Sequence, residues 1–189
     1  MTSIDYDQAD CGYGVGQVTD GMTAASTKYT ANGKTKIALD YAENVAAAIQ
    51  ILAGKWNELR AANIIANNGD PTALENWYFA IWAYNSGLYP NTGGPWGLGW
   101  TNNPMNADYP ANRAPFLRNT YADAAEPWKW PYQEKVFGWM ETPILISGQP
   151  AYVSSGYLTI PGGDTFCVMA RNECNPSYID PDPAPPDQS

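Results

Sequence analysis

Apolar residues recur at three- and four-residue steps through DYAENVAAAIQILAGKWNEL, where Tyr41, Val45, Ile49, Leu52, Trp56 and Leu59 share one face. A period near 3.6 residues sustained over that length predicts an amphipathic helix with those side chains turned inward. Asn67-Asn68-Gly69 breaks the chain. Asp70-Pro71 then supplies a cap followed by proline at the first helical position, where its missing N–H costs nothing. The helix expected from there carries Leu74, Trp77, Tyr78, Ile81 and Trp82 so densely that it should be nearly buried, with Gly87 placed to end it. A third helix, PYQEKVFGWMET, opens at Pro131, puts Tyr132, Val136 and Trp139 or Met140 on one side, and closes at Pro143.

Between these elements the periodicity is lost. Residues 88–117 are rich in Gly, Pro and Asn with neither a helical nor a strand period, which predicts a long irregular loop. Loops of that length inside a domain are uncommon and tend to be functional; the alternative is an ornament tied down by its own Trp and Tyr. ILISGQPAYVSSGYLTI reads as two short strands joined by a turn. The last fifteen residues hold five prolines and no core-forming run, the composition of a linker or disordered end.

Composition narrows the chemistry. At 189 residues and 44% hydrophobic, the chain is one domain's worth of sequence with enough apolar material for a core. A formal charge of −9 with only ten Lys plus Arg leaves no basic stripe for a phosphate backbone, so nucleic acid is not an expected partner. No apolar run approaches the roughly 18 residues of a membrane span, and the acidic start MTSIDYDQAD is unlike a signal peptide. Histidine is absent, which removes a Ser-His-Asp triad and leaves acid–base work to carboxylates; no cofactor or metal is expected. Cys167 and Cys174 bracket the short loop FCVMARNEC. A small disulfide in an oxidising compartment is the first reading, and two free thiols the second. Two thiolates without histidine offer too few ligands for a closed zinc site. Cys11 is left over, as a buried thiol or one whose partner lies outside this chain.

Four motifs follow in order: the Gly-rich turn GYGVGQ, the helix start Glu43-Asn44-Val45, the helix end Ala83-Tyr84-Asn85-Ser86-Gly87, and the terminal helix from Pro131-Tyr132 to Val136. This order resembles the lytic transglycosylases, the lysozyme-like enzymes that cut the glycan strands of peptidoglycan, and is closest to the versions in large secreted actinobacterial proteins. The resemblance covers roughly residues 12–141. It implies a mainly α, lysozyme-like domain over residues 1–141, N-terminally truncated, with a long irregular loop, a small extension over 142–174 and a Pro-rich tail over 175–189. It also implies an extracellular or cell-wall location and peptidoglycan or a related glycan as the partner. In a glycan cleft Gly14 and Gly16 would let the main chain approach a sugar ring, and Gln17 would offer both a donor and an acceptor. Read structurally, GYGVG is a tight turn that needs positive-φ positions. Tyr84 matches the family's cleft tyrosine, near the reacting bond, with Asn85 beside it. Trp96 and Trp100 in the long loop are candidates to stack on sugar faces, or to pin that loop to its own domain.

The family's general acid is a Glu on a helix before the Gly-rich turn, and here no glutamate precedes Glu43. The sequence leaves three explanations: the acid lies upstream of Met1, the chain is a non-catalytic glycan-binding module, or another acid has taken over. Glu43 is one candidate for the last, although the helix dipole already accounts for an acid there, and Asp5 or Asp7 would be carried on a terminus that suits a preorganised acid badly. A hydrolase using two carboxylates, and a structural or adhesion segment of a large extracellular protein, are the neighbouring readings. If a helix is missing, Val45, Ile49, Leu52, Trp77 and Ile81 lose a partner, and self-association through that exposed face is expected.

Overall fold

The computed structural model describes residues 12–88 and 114–159. The expectations for Cys11, Trp96, Trp100, Cys167, Cys174 and the 175–189 tail lie outside the described residues, as does most of the long loop. Within them the chain is mainly α: helices α1 (Ala31–Leu39), α2 (Tyr41–Ala61), α3 (Tyr78–Ser86) and α4 (Tyr132–Glu141), with the two-stranded hairpin β1 (Leu145–Ile146) and β2 (Gln149–Pro150). It divides into two compact units, residues 1–54 and 55–189.

The first unit is organised by one amide. Tyr13 and Val18 exchange backbone hydrogen bonds at 3.2 and 3.0 Å and close the Gly-rich turn. Asn44, 2% exposed on α2, accepts from Gly16 N at 2.8 Å and donates to Tyr13 O at 2.7 Å and to Ile37 O at 2.9 Å. The same side chain thereby binds the turn and the end of α1 to α2. Bare backbone is required where they meet. Gly14 has φ +66°, and a Cβ there would overlap the Asn44 side chain; one on Gly16 would come within 2.7 Å of Ala48 Cβ. Tyr13, Val18, Met22, Ile37 and Ala47 fill the small core beneath.

Asp40 is the whole junction between α1 and α2. Its N–H donates to Lys36 O at the end of α1, and its Oδ1 accepts from Ala42 N and Glu43 N at 2.9 and 3.1 Å at the start of α2. At the other end of α1, Thr30 accepts from Gly33 N at 3.1 Å. Lys34 is 6% exposed because its ammonium replaces water with carbonyl oxygens, Thr23 O at 2.6 Å and Ser26 O at 2.8 Å.

The face of α2 differs from the expected one. Tyr41 is 74% exposed and Ile49 60%, while Leu59 is buried as expected and Asn44 and Ala47 are buried in addition. The cause is the Asn44 amide, whose three bonds fix which side of α2 meets the Gly-rich turn. Of the other residues expected to lose a partner, Val45, Leu52 and Trp77 are half-buried and Ile81 is buried.

In the second unit the chain around Asp70 also departs from expectation. Asp70 Oδ1 accepts from Thr72 N and Oγ1 at 2.9 and 2.8 Å, a local turn rather than a helix cap. Buried Asn76 accepts from Asn67 Nδ2 at 2.8 Å and donates to Asn68 Oδ1 at 2.7 Å, holding 67–76 as a clasp. A 3-10 turn, Leu74–Trp77, leads into α3 only at Tyr78. α3 is apolar on every side and correspondingly buried from Tyr78 to Ala83, and Gly87 ends it at φ 79°. α4 packs on it through Phe137, edge-on to Tyr78 at 5.8 Å, and through Gln133, whose Nε2 donates to Tyr78 Oη at 3.2 Å.

α4 starts after Pro131 and ends at Glu141, before Pro143. Its Gly138 makes room for Phe116, which with Leu117 and Trp130 forms a second small cluster. The hairpin turns at Ser147 and Gly148, with φ 52° and 80°, the left-handed pair that a two-residue hairpin loop needs. Beyond it, residues 151–158 run back along the end of α4. Ser155 N donates to Met140 O at 2.9 Å, Ser154 Oγ to Glu141 O at 2.6 Å and Leu158 N to Glu141 Oε1 at 2.7 Å.

Two substitutions test this packing in urea unfolding. Asn44→Ala removes three hydrogen bonds at about 0.5–1.5 kcal/mol each and should destabilise the first unit by roughly 2–4 kcal/mol. A loss under about 0.5 kcal/mol would show that the amide is not the anchor. Gly138→Ala gains about 1 kcal/mol of helix propensity, but its methyl would meet the Phe116 carbonyl oxygen and ring. Overpacking at roughly 1–3 kcal/mol should prevail, so the variant unfolds at lower urea; a higher midpoint would show that Phe116 yields.

Candidate functional site

The Gly-rich turn presents Gln17 on the surface at φ 48°, its N–H donating to Gly14 O at 3.0 Å and its Nε2 to the same oxygen at 3.1 Å. Gln17 is thus a surface amide whose direction is set by its own turn. The sides of Gly14 and Gly16 where a Cβ would point are taken by Asn44 and Ala48. Their lack of side chains is accounted for by the docking of α2.

Tyr84 and Asn85 occupy the last turn of α3, where Tyr84 is half-buried and Asn85 exposed. The density of apolar residues in YFAIWA buries the start of α3 and brings α4 alongside it. Burial, with a smaller contribution from Tyr132 at the start of α4, pushes the Tyr84 phenol from 10.0 up to about 12. Tyr132 is raised by burial as well, and Lys135, one turn along α4, is lowered by burial. Tyr84 therefore remains a neutral hydroxyl at physiological pH, able both to donate and to accept.

The carboxylates fall into two kinds. Glu43 is exposed, receives its position from Asp40, and stands 3.9 Å from Lys36 Nζ. Such water-facing surroundings lack the apolar pocket that keeps a general acid protonated. Glu134 and Glu141, each 7% exposed, are the buried carboxylates among the described residues, and the apolar periodicity of α4 gives no sign of either. Glu141 is committed to Arg118, which pairs with both of its oxygens. Among the described residues no group of three His, Cys, Asp or Glu side chains is assembled for a metal, and no helix is long and apolar enough to cross a membrane.

No family model matches the chain, and neither the curated proteins nor the solved structures hold a match to it.

A direct test of the Tyr84 environment is ultraviolet titration of the phenolate in the wild type and in Tyr84→Phe. One tyrosine, missing from the variant, should ionise near pH 12. Because the folded value lies above the unfolded one, Tyr84 adds stability that is fully present below pH 10.0 and is lost as the pH rises through about 12. A variant whose titration differs only in the ordinary tyrosine range would place Tyr84 in water.

Proposed function

We propose that this chain is a lytic-transglycosylase-like protein with a lysozyme-like helical fold that acts outside the cytoplasm on peptidoglycan, and that by itself it holds the glycan without cutting it. The observation that carries the reading is Tyr84, a neutral, half-buried phenol on the Gly87-terminated helix end of the AYNSG motif, with Tyr132 of the fourth motif contributing to its environment. A polysaccharide of hydroxyl and N-acetyl groups is bound by neutral donors and acceptors, and Tyr84, Asn85 and Gln17 are of that kind. The ordered sequence of four motifs supports the same class. Binding without cleavage is favoured by the state of Glu43, exposed and beside Lys36, which suits the helix start and not proton donation to a glycosidic oxygen.

Co-sedimentation with purified peptidoglycan tests this. The wild type should be retained, and Gln17→Ala and Tyr84→Ala should each weaken retention about three- to tenfold, the worth of one or two hydrogen bonds. Mass spectrometry of the same incubation should find no anhydro-muropeptides. Undiminished retention of both variants would overturn the assignment of the binding residues. Anhydro products would establish catalysis by this chain and overturn the binding-only reading.

A further inference from the structure

Three exposed tyrosines surround the C-terminal turn of α4, and each is held in place. Tyr152, 39% exposed, donates its hydroxyl to Trp139 O at 2.7 Å. Tyr121, 47% exposed, stands edge-on to the Trp139 ring with centroids 5.7 Å apart. Tyr157, 77% exposed, carries the Arg118 guanidinium 5.0 Å from its ring centroid, and Arg118 is itself held by its two bonds to buried Glu141. A surface tyrosine ordinarily keeps its rotamer freedom and loses it only on binding. Here folding has already removed much of that freedom. The result is a set of preorganised aromatic side chains, each partly in water, with Tyr157 already carrying the Arg118 guanidinium over its ring.

The chemistry around the rings selects the ligand. Among the described residues Arg118 is the cation in contact with these tyrosines, and Glu141 pairs with it. A chain of net charge −9 would repel a phosphate backbone. A flat ligand without charge is the complement. A pyranose ring meets that description: its C–H face lies against the electron-rich face of an aromatic ring, and its hydroxyl rim exchanges hydrogen bonds with phenolic oxygens at the edge. We infer that Tyr121, Tyr152 and Tyr157 form a stacking platform for the sugar rings of an uncharged glycan segment, a glycan contact at the opposite end of α4 from Tyr84. The choice of a glycan among flat neutral ligands rests on the function proposed above; the place of the platform does not.

The test is titration of the full chain with the soluble tetrasaccharide of N-acetylglucosamine, followed through assigned tyrosine ring resonances by NMR. Shifts at Tyr121, Tyr152 and Tyr157 are expected. Tyr157→Ala should weaken that binding roughly five- to tenfold, and Tyr157→Phe, which keeps the ring, should stay within about twofold. Should Tyr157→Ala lower the melting temperature, Tyr121→Ala serves as the second variant and should show the same loss. Shifts confined to Tyr84 and its surroundings, or wild-type affinity in the alanine variants, would overturn the platform while leaving the proposed function standing. Shifts at the platform that persist in the Gln17→Ala, Tyr84→Ala double variant, together with wild-type retention of that variant on peptidoglycan, would support the platform and overturn the other assignment. A titration that moves no ring overturns the platform outright.

Discussion

A buried asparagine that makes three hydrogen bonds sets the arrangement of the first unit. The Asn44 amide has no water to fall back on, so its donors and acceptor must be satisfied by backbone, and the groups that satisfy it come from the Gly-rich turn and from α1. Everything nearby follows from this requirement. The turn must carry glycines where the amide and Ala48 approach, and α2 must turn Ala47 inward. The bulky stripe of Tyr41 and Ile49 is left outside as a consequence. Hydrophobic burial alone would have favoured a face that also covers Tyr41 and Ile49; an unsatisfied buried amide is costly enough to decide the matter.

The second unit obeys a different constraint. α3 has no polar face, so it can be stable only when surrounded, and α4 covers it with Phe137 and Gln133. Polar atoms appear where the covering ends. The phenol of Tyr84 lies on the last turn of α3, partly within the apolar packing and partly outside it, and that intermediate position is what raises its pKa while leaving the residue at the surface. At the opposite end of α4, Glu141 is buried with Arg118, and the pair receives the strap of residues 151–158. Ion pairs of this kind add little net stability, but their geometry is exacting, and here it fixes where the strap lies.

Much of this was legible in the sequence. The 3.6-residue period of α2, the aromatic density of α3, Pro131 before α4, Gly87 after α3 and the turn between two short strands all correspond to observed elements. The failures have a common origin in polar groups satisfied at long range. α1 has no apolar stripe to reveal it, because one of its inward residues is Lys34, whose ammonium is hydrogen-bonded by carbonyls from residues 23–26. The inward face of α2 was misjudged because Asn44 outweighs Tyr41 and Ile49. Asp70-Pro71 looked like a helix start, whereas Asp70 spends its carboxylate on Thr72 and the Asn67–Asn76 clasp delays α3 by several residues. For the candidate site, Tyr84 and Gln17 could be picked out by motif, but the closeness of Tyr132 and the burial of Glu134 depend on helix packing that no local pattern encodes.

The single-residue junction at Asp40 limits how this protein can diverge. One residue terminates α1 through its N–H and initiates α2 through its carboxylate, so the linker between the helices has no slack. An added or deleted residue there would separate the two capping duties and rotate everything downstream by about 100° on the helix, carrying Asn44 away from the Gly-rich turn. Substitutions can accumulate on the exposed faces of α1 and α2 at little cost. Changes of length cannot, and descendants of this sequence should vary between Thr30 and Asn44 in residue type while keeping the number of residues constant.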